Sequence, residues 1–214
     1  MKKTLLLNMT AFFIAIGTFT IPNTAHAQSD PSDVGLFIEP GVSYEMGKTT
    51  TDWPSPFSNS TGESKGLGLM GRLGLHVADI FFVGLDARYS MTQFKDSSVN
   101  YSADAQQFNW GPLVGVQTPL FGIRVWGNYV AGGFLDPKAS GSPSLDVKLE
   151  EPTGYRLGVG GRYLMLSINL EYQNVQYNKT TLEAVGSYSA VQSFSNVKPK
   201  SESWIVSVSF PFSI

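Results

Sequence analysis

The chain has 214 residues, of which 42% are apolar, 13% aromatic and only 15% charged, with 22 Gly, no Cys and a formal charge of −2. A charged fraction well below the roughly 25% of ordinary soluble domains points away from a fold bounded by water on all sides. The charge balance excludes the basic stripe of a nucleic-acid binder, and the lack of Cys excludes a disulfide framework, a thiolate metal site and a thiol nucleophile.

The first element is a targeting segment. Lys2 and Lys3 precede a mostly apolar run from Leu5 to Ile21, and Ala25-His26-Ala27 then offers a small-x-small cleavage pattern before Gln28. This is the pattern of a secretory signal peptide over residues 1–27, with one domain over 28–214. Removing it leaves a single histidine, His76, and a net charge of −4.

Beyond residue 27 no apolar run approaches the roughly 20 residues of a membrane-spanning helix. Two-residue alternation recurs instead. In chain order it predicts eight strands, at about 34–45, 65–77, 80–94, 106–118, 121–135, 153–163, 165–177 and 202–212. Strand two carries Leu67, Leu69, Leu73, Leu75 and Val77 on one face and Gly68, Met70, Arg72, Gly74 and His76 on the other. Strand three sets Phe81, Val83, Leu85, Ala87 and Tyr89 against Phe82, Gly84, Asp86, Arg88 and Ser90. Successive strand side chains point to opposite faces, so each segment has one greasy and one polar side. Most are longer than the 5–6 residues common in soluble strands. Tight turns are expected at Ala78-Asp79, at Pro119-Leu120 and around Leu164. Long loops are expected over 46–64, 95–105, 136–152 and 178–201, which are rich in Ser, Thr, Asn, Pro, Asp and Lys. Short turns at one end and long loops at the other fit an all-β, eight-stranded antiparallel up-and-down transmembrane β-barrel, closed by pairing strand eight with strand one.

Charge type separates this reading from a soluble barrel. The eight lysines after residue 27 fall in expected loops or at strand ends, whereas all five arginines fall inside strands on the polar, Gly-rich face. A small barrel interior must be filled by packed side chains, and Arg is suited to bidentate pairing with carboxylates at low dielectric. The expected lumen network is Glu39, Arg72, Asp86, Arg88, Arg124, Arg156, Arg162 and Glu171, with Arg72 between Glu39 and Asp86 and Arg156 near Glu171. On the apolar face, Tyr44, Tyr89, Trp110, Tyr129, Tyr155, Tyr172 and Trp204 fall toward the long-loop end, and Phe81, Phe121, Tyr163 and Phe210 toward the short-turn end. Two such rings suit the two membrane interfaces.

The signal peptide, eight amphipathic strands, alternating connection lengths and aromatic last strand Trp204–Phe212 together resemble the small eight-stranded outer-membrane proteins of Gram-negative bacteria, the OmpA-barrel and OmpX type. The resemblance implies a place in the cell outer membrane, the lipid bilayer as partner, and recognition of Phe210 and Phe212 by the barrel-assembly machinery. The chain departs from it in ending Phe212-Ser213-Ile214 and in placing Pro211 in the last strand, where it removes a ladder donor; Pro211 is expected at the strand's end.

Three functional classes stay open. The first is a structural, adhesion or surface-interaction protein, with Trp53 and Phe57 of the first loop as contact candidates and Ala184–Val197 as a charge-free strand extension toward an unknown extracellular ligand or surface. The second is a narrow, porin-like channel, opposed by five arginines plus Phe82 and Trp126 on the inward parity. The third is a lipid-modifying barrel enzyme, but His76 sits near the short-turn end with no serine suggesting a dyad, so no catalytic residue is expected. No metal-ligand spacing or phosphate-cradling Gly loop is present, and no cofactor or metal is expected.

Overall fold

The computed structural model describes residues 34–52, 59–78, 80–96, 101–118, 122–139, 145–185 and 188–213. The segment over 1–27, Phe121, Trp53 and Phe57 lie outside the described residues. Among the described residues, eleven strands form one antiparallel sheet: β1 (Val34–Thr51), β2 (Ser60–Val77), β3 (Phe81–Asp96), β4 (Tyr101–Gln117), β5 (Ile123–Val130), β6 (Gly132–Ala139), β7 (Leu145–Tyr163), β8 (Leu166–Val185), β9 (Tyr188–Phe194), β10 (Lys200–Ser209) and β11 (Phe212–Ser213). They build eight staves. β5 and β6 are consecutive pieces of the fifth, and β9, β10 and β11 of the eighth. The ring closes where β10 pairs β1, from Gly41 opposite Ser209 to Thr50 opposite Lys200. Closure satisfies every strand edge at membrane depth, which hydrocarbon demands.

Alternation carries the fold. Along β5, Arg124, Trp126, Asn128 and Val130 are buried while Ile123, Val125 and Tyr129 are exposed. The exposed set continues around the outside with Leu36, Ile38, Leu73, Leu85, Leu157 and Ile168. So continuous an apolar exterior has no place in water, where exposed patches rarely exceed a few hundred Å²; its solvent is lipid.

Three expectations are corrected. First, the segments taken as long loops are mostly strand: β1 and β2 pair as far as Thr51 opposite Ser60, and β7 and β8 as far as Leu145 opposite Val185. Lys48, Lys95, Lys138, Lys148 and Lys179 accordingly lie on strands rather than in loops. Above the bilayer the outer face of a strand meets water, so polar composition does not end the ladder; the inward positions Thr49, Thr51 and Ser64 stay buried.

Second, the fifth stave is not continuous. Leu113 pairs Asn128 but Trp110 pairs Gly132, so one extra residue is inserted around Ala131. This β-bulge shifts the inward parity from Val130 to Leu135. Gly133 absorbs it at φ 140°, and a Cβ there would meet the Phe108 carbonyl oxygen at 1.9 Å. Gly133→Ala is therefore expected to cost about 2–4 kcal/mol, from backbone strain and overpacking together, read as a lower urea midpoint of the refolded protein.

Third, Pro211 is not the end of the last stave. Phe210 N–H donates to the Pro40 carbonyl (2.8 Å), and Phe212 and Ser213 resume pairing with Ile38 and Phe37 in unchanged register. The amide of residue 211 would face β8, which has already turned back at Leu164–Met165, so proline forfeits no ladder bond there.

Candidate functional site

Register sets depth, and six staves bring charge to one layer of the lumen. Arg72 stands opposite both Glu39 and Asp86 across its two ladders. Its Nε donates to Asp86 (2.9 Å), Nη1 to Glu39 (3.2 Å) and Nη2 to Glu171 (2.8 Å). Arg124 reaches across the barrel and forks onto both oxygens of Glu39 at 2.7 Å. Arg88 donates to both oxygens of Glu171 (2.7 and 2.5 Å) and to Asp86 (3.2 Å). Arg156 donates to Asp86, Asn109 and Gln173, with its Nε 3.8 Å from Glu171. Ser209 completes Glu39 at 2.6 Å. All seven ionic side chains are buried. A charge at this depth is tolerable only when it is paired and its remaining hydrogen-bonding capacity is filled.

Arg162 is the one member of the expected network that the structure does not bring in. It shares the inward parity but lies beside the β7–β8 turn, where it donates to the carbonyl oxygens of Leu164 and Pro211. Face is set by parity, depth by position along the strand. Conversely Glu45, two inward positions past Gly41 on β1, is buried and takes hydrogen bonds from Ser90 (3.4 Å) and Gln107 (3.5 Å). Its parity with Glu39 was the available signal. With Glu45 the four arginines face four carboxylates.

The lumen is layered rather than uniformly polar. On the turn side Phe37, Phe82, Leu113 and Trp126 form an apolar plug. Trp126 underlies the Arg72 guanidinium at 4.4 Å and that of Arg124 at 5.4 Å, joining plug to ionic layer by cation–π contact. His76 belongs to this plug: it is 9% exposed, edge-on to Phe37 at 4.8 Å and 5.7 Å from Phe82. On the other side Ala105, Val130, Leu135, Leu149, Val175 and Tyr177 make a second apolar cluster. The ionic layer is closed off from water on both sides.

On the outer face Tyr44, Trp110, Tyr129, Tyr155 and Trp204 are exposed, and Tyr89 and Tyr172 half-buried. Trp204, Tyr172 and Tyr155 form a file on adjacent staves, with centroids 5.2 and 6.4 Å apart. Phe81, Tyr163 and Phe210 are exposed near the other end, and Phe212 half-buried. Phe81–Tyr89, Tyr155–Tyr163 and Trp204–Phe212 are each separated by eight positions. That is about 26 Å of strand, or about 20 Å of height at the usual barrel tilt, close to the apolar band of outer-membrane barrels.

Beyond the upper ring the staves go on. β8 runs 13 residues past Tyr172 to Val185, about 43 Å of strand. Among the described residues β9 pairs with β8 alone, through Thr180 opposite Phe194 and Val185 opposite Tyr188, so its other edge is open.

No protein-family model matches the chain, and no curated protein matches its sequence. Among solved structures it is similar to the outer membrane protein OprG of Pseudomonas aeruginosa, at 14% identity over 85% of this chain and 97% of that one, with a TM-score of 0.50. It is also similar to Ail, the attachment invasion locus protein of Yersinia pestis, solved with the heparin analogue sucrose octasulfate, at 14% identity over 83% and 99% of the two chains, with a TM-score of 0.46. Likeness at this identity is a likeness of fold, and the ring of eight antiparallel staves, apolar outside and ionic within, is a transmembrane β-barrel.

Proposed function

We propose that the chain is an outer-membrane barrel of a Gram-negative bacterium, with residues 1–27 as export signal and 28–214 as the barrel domain, and that it serves as a structural or surface-interaction protein rather than a pore or an enzyme. The observation that carries this reading is the edge of β9 that no described residue pairs, on a hairpin raised far beyond the aromatic ring. Unpaired N–H and C=O groups of an edge strand are a template for adding a strand from another chain. The layered, cross-linked lumen argues against free passage of solutes, and the packing of His76 between two phenyl rings argues for a structural imidazole. The two aromatic rings support embedding in lipid, and Phe210 and Phe212 at the end of the closing stave are the residues offered to the assembly machinery. The candidate loop contacts Trp53 and Phe57 belong to the same proposed surface.

Two measurements test the proposal. Planar bilayers containing the protein should stay silent; stable single-channel steps would favour the channel instead. Cells displaying the protein should bind a surface or ligand in a manner lost on deleting residues 180–197, while the truncated barrel keeps its heat-dependent gel mobility. Unchanged binding after that deletion would remove β9 from the account.

A further inference from the structure

Irregularities in the staves above the upper ring bring three carboxylates together. The bulge at Ala131 reverses parity, so that Leu135 points in and Asp136 out, opposite the exposed Gln106 of β4. A second bulge lies at Glu183: Leu182 pairs Val147 and Ala184 pairs Asp146, leaving Glu183 as the extra residue. Bulges re-aim side chains. Without them regular alternation would direct Asp136 into the lumen. With them, Asp136, Asp146 and Glu183, from three staves, offer oxygens that all lie within 4.8 Å of one another.

The cluster is under-compensated. Asp136 is 8% exposed, yet among the described residues its Oδ1 has no hydrogen-bond donor, and neither does the enclosed Oδ1 of Asp146. Enclosed carboxylate oxygens without donors are costly. The cation present is Lys138, whose Nζ takes the other oxygen of Asp136 at 2.9 Å. One ammonium against three carboxylates leaves two negative charges.

We infer that Asp136, Asp146 and Glu183 form a divalent-cation site of the calcium type on the outer face of the raised staves. The donor set is all oxygen, with no His or Cys, which selects a hard cation. Three carboxylates, one- or two-toothed, supply part of the six to eight oxygens that Ca²⁺ takes, and water supplies the rest. Mg²⁺ demands a tighter octahedron and gives up its water reluctantly, so Ca²⁺ is preferred. A cation here would tie β6, β7 and β8 together above the membrane, where no lipid supports them.

The test is calorimetric titration of CaCl₂ into the protein refolded in lipopolysaccharide-free detergent after chelator treatment. One saturable site per chain is expected, with Kd on the order of 0.1–1 mM, the range of extracellular calcium modules. Asp146→Asn and Glu183→Gln should each weaken it at least tenfold while heat-dependent gel mobility shows an intact barrel. Glu150→Gln, which removes a neighbouring carboxylate already paired with Lys179 (2.9 Å) and Lys148 (3.7 Å), should leave the isotherm unchanged. No saturable heat up to about 10 mM Ca²⁺, well above that range, would mean that Lys138 alone compensates the cluster and would overturn the proposal. So would equal weakening by Glu150→Gln, which would reduce the effect to general surface charge.

Discussion

Asp86→Asn is expected to destabilise the folded barrel by about 3–5 kcal/mol, the range for breaking a buried ion pair by removing one partner. The side chain keeps its shape, so the loss is electrostatic. Asp86 accepts from Arg72, Arg88 and Arg156, which come from three directions on β2, β3 and β7. Without its charge the layer holds four guanidinium groups against Glu39, Glu171 and the more distant Glu45, at a depth where two apolar clusters exclude compensating water. The amide must also turn one N–H₂ toward donors that already crowd it. Urea unfolding of the refolded protein, followed by tryptophan fluorescence and gel mobility, measures the effect. A change below about 1 kcal/mol, the scale of an exposed pair, would show that the layer is hydrated.

Trp126→Ala should cost a similar amount, about 3–5 kcal/mol, by a different route. It removes the largest member of the turn-side plug and the ring beneath Arg72 and Arg124. The ring fits because residue 158 opposite it is glycine: a Cβ there would lie 2.2 Å from Trp126 Cε2. Gly158→Ala is therefore expected to be damaging alone and much less so in a Trp126→Leu background. Residues in contact show coupling energies of about 0.5–3 kcal/mol in double-mutant cycles, and additive behaviour would place the indole elsewhere. The two variants separate the layers, since the first removes charge without volume and the second volume without charge.

Much of this was legible because lipid is a severe filter. At membrane depth no charge can face outward, so Arg and acid positions report parity directly. Glu39, Arg72, Asp86, Arg88, Arg124, Arg156 and Glu171 share the inward parity in sequence and meet in the structure. Strand ends were not legible, because the filter stops at the headgroups. In Ser60-Thr61-Gly62-Glu63-Ser64-Lys65 both faces are polar, so a paired strand reads like a loop. The Ala131 bulge left only the Gly132-Gly133 pair as a trace, yet it decides the face of every residue after it in the fifth stave. Arg162 shows the remaining gap: alternation gives a side, while height along the stave comes from pairing with neighbours. For the same reason the Asp136–Asp146–Glu183 cluster could not be seen from spacing, since its members come together only where the strands' alternation is broken, near Ala131, Glu151 and Glu183.

Ring closure has a consequence for biogenesis. Gly41 and Ser209, which seal the wall, stand near opposite ends of the described chain, so the closing contact has nearly the largest loop a protein of this length permits. Contacts of such high order form late, after their loop entropy has been met. Until β10 arrives, β1 and β8 would each present a bare edge to hydrocarbon, and the ionic layer would lack the Ser209 hydroxyl that completes Glu39. A half-inserted sheet is thus less favourable than either the wholly exported, unfolded chain or the finished ring. Insertion is in that sense a single concerted event, with its commitment step written into the ten residues of β10.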